Sequence, residues 1–488
     1  MKAVLFLGAA QRGFHERRKE GDGKSVQKPF DDGNGLNVWH SEDRLMPSLP
    51  NASRTLLLKW LKPGVVYLEE DLTMRLTTVS KKLSIVFASM VILTFLSAEC
   101  VSAQQVKEVK VGCLLTLSGA LAQSGKRQKD VCEMAFHDIN ASGGIKSLGG
   151  AKLVPVWGDS QGKPVFATSE TERLIQQEHV SVIMDAYPSV CTMAGSSVAE
   201  RLKTPYLAAI SYADTITERG YHYVFQQEPK AFNVAKNQVE VLDYINGLVG
   251  GKIKKVALLY ENTDYGQTGA KARREFLKKA GYSVGPDISF ASRTPNVDPL
   301  MIELKAGNPD AVMDASYVSD AIMFTRSAKK MGLLDIPWIA AGTKTEAAYW
   351  SAVGKEDWGA LSVSMWERDI SPRARKLNDR FKAKYGGDLD GVIMLLYQGA
   401  WVVKQAIEDA ASTNREAIRN AMASVDIEPG PDLYMPYENI KFNKKGLNTG
   451  GRFIFVQIQK DGRTATVFPE KYASKKINLS RWTKFMSK

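Results

Sequence analysis

The chain has 488 residues, a formal net charge of +12, 44% hydrophobic and 24% charged residues, 39 Gly, 19 Pro, 4 Cys and 5 His. That length exceeds one ordinary core of roughly 100–200 residues, and the balance of apolar and charged residues excludes a mostly disordered, collagen-like or polytopic membrane protein. Four cysteines cannot build a disulfide framework for so long a chain, and five histidines without Cys/His clustering leave little material for a metal site.

Residues 1–73 mix the turn clusters GDG, DDGNG and PSLPN with short apolar runs and sustain no periodicity. An export signal follows. Arg75, Lys81 and Lys82 precede the apolar run LSIVFASMVILTFL (83–96), and Val101-Ser102-Ala103 places small residues for cleavage after Ala103. The run is shorter than the roughly 20 residues of a membrane-spanning helix. Signals of this kind work from the N-terminus, so translation is expected to start at Met74, with 1–73 an untranslated upstream extension. The alternative is a genuine extension with 83–96 kept as an uncleaved anchor. Glu99 stands before Cys100 where a lipobox needs a small residue, which argues against lipidation.

An oxidising compartment would allow at most one disulfide among Cys113, Cys132 and Cys191, and the sequence does not choose the pair. Basic residues are scattered and interrupted by acids. That describes a cationic surface, whereas a nucleic-acid binder concentrates its cations on one face with interleaved aromatics.

From Val109 onward, short apolar runs alternate with amphipathic stretches. The pattern predicts a strand at 109–115, a helix at 126–141 ended by Gly143-Gly144, strands at 152–158 and 180–186 around a helix at 167–177, a helix at 190–202 and a strand at 205–210. After a break at 226–229 it restarts: helix 231–247, strand 255–261, helix 266–280, strand 283–290, helix 297–306, strand 310–315, helix 318–330, strand 337–341. Near-continuous apolar strands, each followed by a helix, indicate parallel sheets covered on both faces. Two such successions predict an α/β protein of two doubly wound parallel-sheet lobes. Helical patterns at 371–385, 390–411 and 414–423 then precede a β-rich end: 451–459, an Asp461-Gly462 turn, and TATVFP. A chain that builds one lobe, then the other, and returns needs crossovers. Candidates are 226–230, 366–370 and 443–446; three crossovers make a hinge, with a ligand cleft between the lobes.

The segment SGALAQSGK (118–126) fails as a phosphate loop, because its glycines are too far apart and Arg127 stands where Ser or Thr must bind magnesium. A glycine-bounded loop after a parallel strand is still a place where such sheets bind ligands. Asp185 to Ser189 joins a strand to a helix in the same way. Ser189 suits a helix N-cap, and free amides there would attract a carboxylate. Tyr265 and Tyr317 follow strands and could close over a ligand; each could equally be a surface turn. His137 falls in a helix pattern, His179 and His222 flank strands, and no Ser/Cys–His–Asp set is evident.

In order and spacing, several segments together resemble the exported solute-binding proteins of ABC importers, of the leucine/isoleucine/valine-binding type. They are LTLSGALAQSG (115–125), FHDINASGGI (136–145), LAAISYADTITERGYHYVF (207–225), ENTDYGQTG (261–269), AKKMGL (328–333), ENIKFNKKG (438–446) and QIQKDGRTATVFP (457–469). The resemblance covers essentially the whole mature chain. It implies a type I periplasmic binding fold: lobe 1 from 104–227 plus 368–445, lobe 2 from 228–367 plus 446–470, and a tail at 471–488. It further implies a periplasmic monomer that binds a small carboxylate, an amino acid or a keto or aromatic acid, and hands it to an inner-membrane permease. No catalysis, cofactor, metal or nucleic acid is expected.

Carried over by position, Ser118 and Ser124 fall in the first binding loop. Ala186, Tyr187 and Ser189 fall in the segment that takes a ligand carboxylate, and Ile210, Ser211 and Tyr212 in the second carboxylate-side loop. Tyr265 and Tyr317 correspond to tyrosines of the other lobe. Gly342 stands about where amino-acid-binding members put an acid for the ligand ammonium; Glu346 or Asp159 could supply the missing charge. Two other classes stay open: the ectodomain of a membrane-tethered sensor, which the mature N-terminus would reveal, and a periplasmic enzyme on the same architecture, which turnover would reveal.

Overall fold

The computed structural model describes residues 106–485. The expected upstream extension, the signal and its cleavage site lie outside those residues. The first sheet is built from β1 (Glu108–Leu115), α1 (Ala122–Ala141), β2 (Lys152–Asp159), α2 (Pro164–Gln176), β3 (Val182–Asp185), α3 (Ser189–Arg201), β4 (Tyr206–Ala208) and β5 (Val224–Gln226). Its order is β2-β1-β3-β4-β5, and every pairing is parallel. All residues of β3, β4 and β5 are buried, which is why these strands read as unbroken apolar runs. The strand order reverses between β1 and β3. In such sheets the crevice outside the strands' carboxyl ends at that reversal is where ligands bind.

The chain then crosses to α4 (Ala231–Leu248), β6 (Lys255–Glu261), α5 (Asp264–Lys279), β7 (Ser283–Phe290), α6 (Asp298–Ala306), β8 (Ala311–Ala315), α7 (Val318–Met331), β9 (Trp338–Ala340), α8 (Ala347–Val353) and β10 (Leu361–Ser364). It returns with α9 (Pro372–Tyr385), α10 (Met394–Ala410) and α11 (Arg415–Ala423), of which α10 packs on α1 and β3 of the first lobe. A two-stranded ribbon, β11 (Asp426–Ile427) with β12 (Ile440–Lys441), precedes the last strands, β13 (Ile454–Ile458) and β14 (Thr464–Phe468). The second sheet has the order β14-β13-β10-β9-β8-β6-β7. Strands β6 to β10 are parallel and repeat the topology of the first sheet, with the reversal now between β6 and β8. Only the β13–β14 hairpin is antiparallel, added at one edge.

Three segments join the lobes: 227–230, 365–371 and 442–453. The first and third run together. The Gln226 amide donates to the Gly446 carbonyl (2.7 Å), and Asn448 donates from its amide to the Gln226 carbonyl and from Nδ2 to the Gln227 carbonyl (each 2.9 Å). The third connection therefore extends past 446 before it enters β13. The stretch after β14 packs on the second lobe, where Asn478 and Gln457 exchange two hydrogen bonds and Trp482 is buried. Among the described residues no helix is long and apolar enough to cross a membrane.

Elements that the sequence pattern does not announce have local causes. β10 carries Ser362 and Ser364, polar residues buried in a central strand because their hydroxyls bond to the carbonyls of Val363 and Trp366. Helix α10 starts at Met394 and not at 390, because Asp390 turns its carboxylate onto the amides of Val392 and Ile393 (3.2 and 3.0 Å). Helix α1 starts before the expected Lys126 and takes in Gly125. A β-carbon at Gly125 would stand 1.7 Å from the Thr116 carbonyl oxygen, so only glycine lets α1 lie so close to the end of β1.

Candidate functional site

The two strand-order reversals bring their loops to one cavity. From the first lobe, the β3–α3 loop delivers Tyr187 and Ser189, and the segment after β4 delivers Ile210, Ser211 and Tyr212. From the second lobe, the first turn of α5 delivers Tyr265, the end of β8 delivers Ser316 and Tyr317, and the segment after β9 delivers Ala341, Gly342, Thr343 and Glu346. Val392 reaches the wall from the returning segment.

Four tyrosines line this wall. Tyr187 faces Tyr317 across the cleft with ring centroids 6.1 Å apart and planes 8° from parallel. Tyr265 lies between Tyr212 (6.1 Å) and Tyr317 (5.8 Å). Burial raises the phenol pKa of all four, so they present neutral hydroxyls and ring faces.

Among the described residues, Glu346 is the only charged one lining the cavity. Its Oε2 accepts hydrogen bonds from Ser124 Oγ (2.7 Å) and Tyr187 Oη (2.9 Å), both on the opposite lobe. Burial pushes its carboxyl up to about 7; the Ser124 and Tyr187 bonds and the Arg127 charge oppose that rise, and Asp390 adds to it. Asp390 also reaches across the lobes, with Oδ2 accepting the Ala347 amide (3.3 Å) beside Arg127 Nε (3.6 Å).

The first-lobe side offers donors without a cation. Helix α3 begins at Ser189, with Pro188 in the N-cap position and no side-chain cap. Ser189 is thus not the cap expected from the sequence, and its hydroxyl stays available at the cavity beside the helix's first-turn amides. Ser211 Oγ lies 2.7 Å from Thr192 Oγ1, which bonds Asp185 Oδ2 (2.6 Å) together with Tyr206 Oη (2.7 Å). Burial pushes Asp185 up to about 7, against the pull of Thr192, Tyr206 and the Ala209 amide. On the other side, the hydroxyls of Ser316 and Tyr317 are buried without a hydrogen bond of good geometry, although Tyr317 feels the Ser189 amide.

Of the residues singled out from sequence, Tyr187, Ser189, Ile210, Ser211, Tyr212, Tyr265, Tyr317 and Gly342 meet at the cavity. Ser124 contributes at one remove, through Glu346. Ser118 does not reach it: its hydroxyl is held by Asp159 (2.6 Å), whose carboxylate also accepts the amides of Leu117 and Gln161. Asp159 is occupied there and does not line the cavity, so of the two acids considered Glu346 is the one present. Ala186 lies behind the wall, its amide bonded to the Leu114 carbonyl. Gly342 has φ 120°, a conformation that excludes side chains, and a β-carbon there would lie 3.6 Å from Tyr212 Oη. The backbone fixes this glycine, and the acid stands four residues later.

The missed lining residues divide by signal. Ser316 directly follows a parallel strand and was findable by the crevice rule, and Ala341 and Thr343 flank Gly342 in the segment already singled out. Val392 had no local signal. Among the described residues no group of three or more His, Cys, Asp or Glu is placed to hold a metal ion.

The chain is similar to known proteins over most of its length. The family described as "Periplasmic binding protein" matches residues 108–463. The Leu/Ile/Val-binding protein homolog 7 of Brucella abortus is 31% identical over 390 residues, covering 76% of this chain and 94% of the relative. The branched-chain amino acid transporter substrate binding protein LivJ of Streptococcus pneumoniae, solved with isoleucine, superposes with a TM-score of 0.64 at 22% identity, covering 74% of this chain and 100% of that one. A solute binding protein of an ABC transporter from R. palustris, solved with benzoate, gives a TM-score of 0.64 at 19% identity, covering 76% and 98%.

Proposed function

The chain belongs to the periplasmic binding protein family, and on that premise we propose that it is the substrate-binding component of an ABC importer that captures an α-amino acid between its lobes. The observation that carries the ligand class is the charge layout of the cavity. One buried carboxylate, Glu346, faces a set of neutral hydroxyls and helix-terminal amides. An ammonium group fits Glu346, where a buried charge needs a partner. A carboxylate fits the Ser189 and Ser211 side, where α3 offers its amides and partial positive charge. The tyrosine rings and Ile210 leave an apolar space for a branched or aromatic side chain.

The protein works by binding alone, without turnover, as a monomer. It is exported with cleavage after Ala103 and delivers its ligand to an inner-membrane permease. The hinge closes the lobes on the ligand, so ligand shifts an open–closed equilibrium. An aromatic carboxylate is the second reading, favoured by the four tyrosines.

Calorimetry with leucine, its 2-keto counterpart and benzoate tests the assignment. Leucine is expected to bind tightest and to lose that advantage in Glu346→Gln. Tighter binding of the keto acid or of benzoate would overturn the ammonium site and favour the second reading.

A further inference from the structure

Beyond Tyr317 lies a second cavity, lined from the first lobe by Gly162, Pro188 and Val190 and from the second by Thr263, Arg293 and Ser319. Tyr317 belongs to both walls, so the two cavities lie on either side of one residue. Among the described residues, Arg293 is the only charged one lining this vestibule. It is exposed, and among the described residues no acid forms an ion pair with its guanidinium. Asp320 feels the guanidinium charge without pairing with it: its Oδ1 accepts the Arg293 backbone amide (2.9 Å) and its Oδ2 the Ser292 hydroxyl (3.3 Å). These bonds hold Arg293 at φ 66°, a left-handed conformation that β-carbon residues seldom adopt. From there the guanidinium reaches the opposite lobe, where Nη2 would stand 3.3 Å from a β-carbon at Gly162.

The two cavities have complementary charge. Among the described residues, the inner one is lined by a carboxylate and no cation, the vestibule by a cation and no carboxylate. We propose that the vestibule is a second subsite of the ligand cleft, in which Arg293 binds a carboxylate at the far end of the ligand. The preferred ligands are then amino acids or small organic acids that carry a second carboxylate, long enough to pass the Tyr317 ring. A guanidinium suits this task because its planar fork matches a carboxylate with two parallel hydrogen bonds and stays charged at every physiological pH. Glycine at 162 keeps the facing wall open for the second anion.

This inference rests on the cleft reading given under Proposed function, and its test separates the two. Calorimetry compares 2-aminoadipate with norleucine, which has the same carbon skeleton without the terminal carboxylate, and 2-oxoadipate with 2-oxohexanoate. The expected result is at least a tenfold preference for the diacid in each pair. Arg293→Gln brings that ratio to about one, and Arg293→Lys retains part of it. A wild-type ratio near one, or a preference that survives Arg293→Gln, overturns the subsite. So does a preference confined to the association rate and abolished by high salt, which would make Arg293 a guide for incoming anions. The amino-versus-keto contrast within each chain length reports Glu346 independently. If monoacids bind and diacids do not, the subsite fails alone; if neither series binds, the cleft reading fails with it. Arg293 is exposed, so the variants are expected to fold, and their melting temperatures check this.

Discussion

The two faces of the cavity are built alike and charged differently. Each comes from the carboxyl ends of a parallel sheet at the point where strand order reverses, and each contributes two tyrosines. The first-lobe face keeps its acid, Asp185, sealed behind Thr192 and Tyr206, and presents hydroxyls and helix-terminal amides. The second-lobe face presents Glu346 at the surface of the cavity. A shared topology can thus orient a zwitterion, because one lobe hides its carboxylate and the other exposes it.

Removing the exposed acid breaks this asymmetry most severely. Glu346→Gln leaves a ligand ammonium without its ion, and loss of one partner from a buried charge pair costs roughly 2–5 kcal/mol. Amino-acid affinity is therefore expected to fall at least about thirtyfold, while a 2-keto acid of the same skeleton gains or is unchanged. Calorimetry on that pair measures it; equal losses for both ligands would mean that the substitution had disturbed the closed state instead.

Acidity sharpens the same comparison. With Glu346 at about 7, protons compete with an ammonium below that pH. Amino-acid affinity is expected to rise with pH up to about 7 and then level off, with a slope approaching tenfold per unit on the acid side. Stability of the ligand-free protein moves the other way. Asp185, Glu346 and Glu367 all have folded-state values near 7, above ordinary carboxylates, so the folded protein binds more protons than the unfolded chain between roughly pH 4 and 7. Stability is then lost as pH rises through that window. Chemical denaturation at pH 5 and pH 8 reads the second trend, and flat curves in both experiments would refute the assignment of these groups.

On the first-lobe face the expected effect is smaller. Ser189→Ala removes one donor to a carboxylate, and a hydrogen bond to a charged group contributes roughly 1.5–3 kcal/mol. The neighbouring amides remain, so a loss near tenfold is expected, shared equally by amino and keto acids. A loss confined to amino acids would place the carboxylate elsewhere.

What the sequence could disclose followed the range of its signals. Strand-then-helix alternation made both sheets readable, and residues just past strands, such as Tyr187 and Tyr317, could be placed at a strand-end crevice by rule, whereas Tyr212 was reached only through the family resemblance. Contacts set by tertiary approach were not readable. Val392 arrives from a distant segment, and Glu346 meets Ser124 and Tyr187 only across the lobes. Gly342 looked like a lost acid because a missing side chain carries no record of its backbone angle, whereas Glu346 reaches the cavity only after a turn of the chain.

Ser118 provides the faintest test, and it separates nearness in sequence from membership of the site. It shares with Ser124 the loop after β1, yet the two hydroxyls meet different acids: Ser124 meets Glu346 at the cavity, and Ser118 meets Asp159 away from it. Asp159 already accepts the amides of Leu117, Ser118 and Gln161, so its carboxylate stays satisfied when the serine hydroxyl is removed. Ser118→Ala is therefore expected to lower stability by no more than about 0.5–1.5 kcal/mol, the worth of one partly exposed hydrogen bond. Ligand affinity is expected to stay within twofold. Ser124→Ala, in contrast, strips a donor from Glu346, raises its carboxyl further, and shifts the acid limb of the affinity profile to higher pH. Paired measurements of melting temperature and pH-dependent binding on the two variants distinguish a loop that binds as a whole from one in which only the residue on the first turn of α1 touches the chemistry.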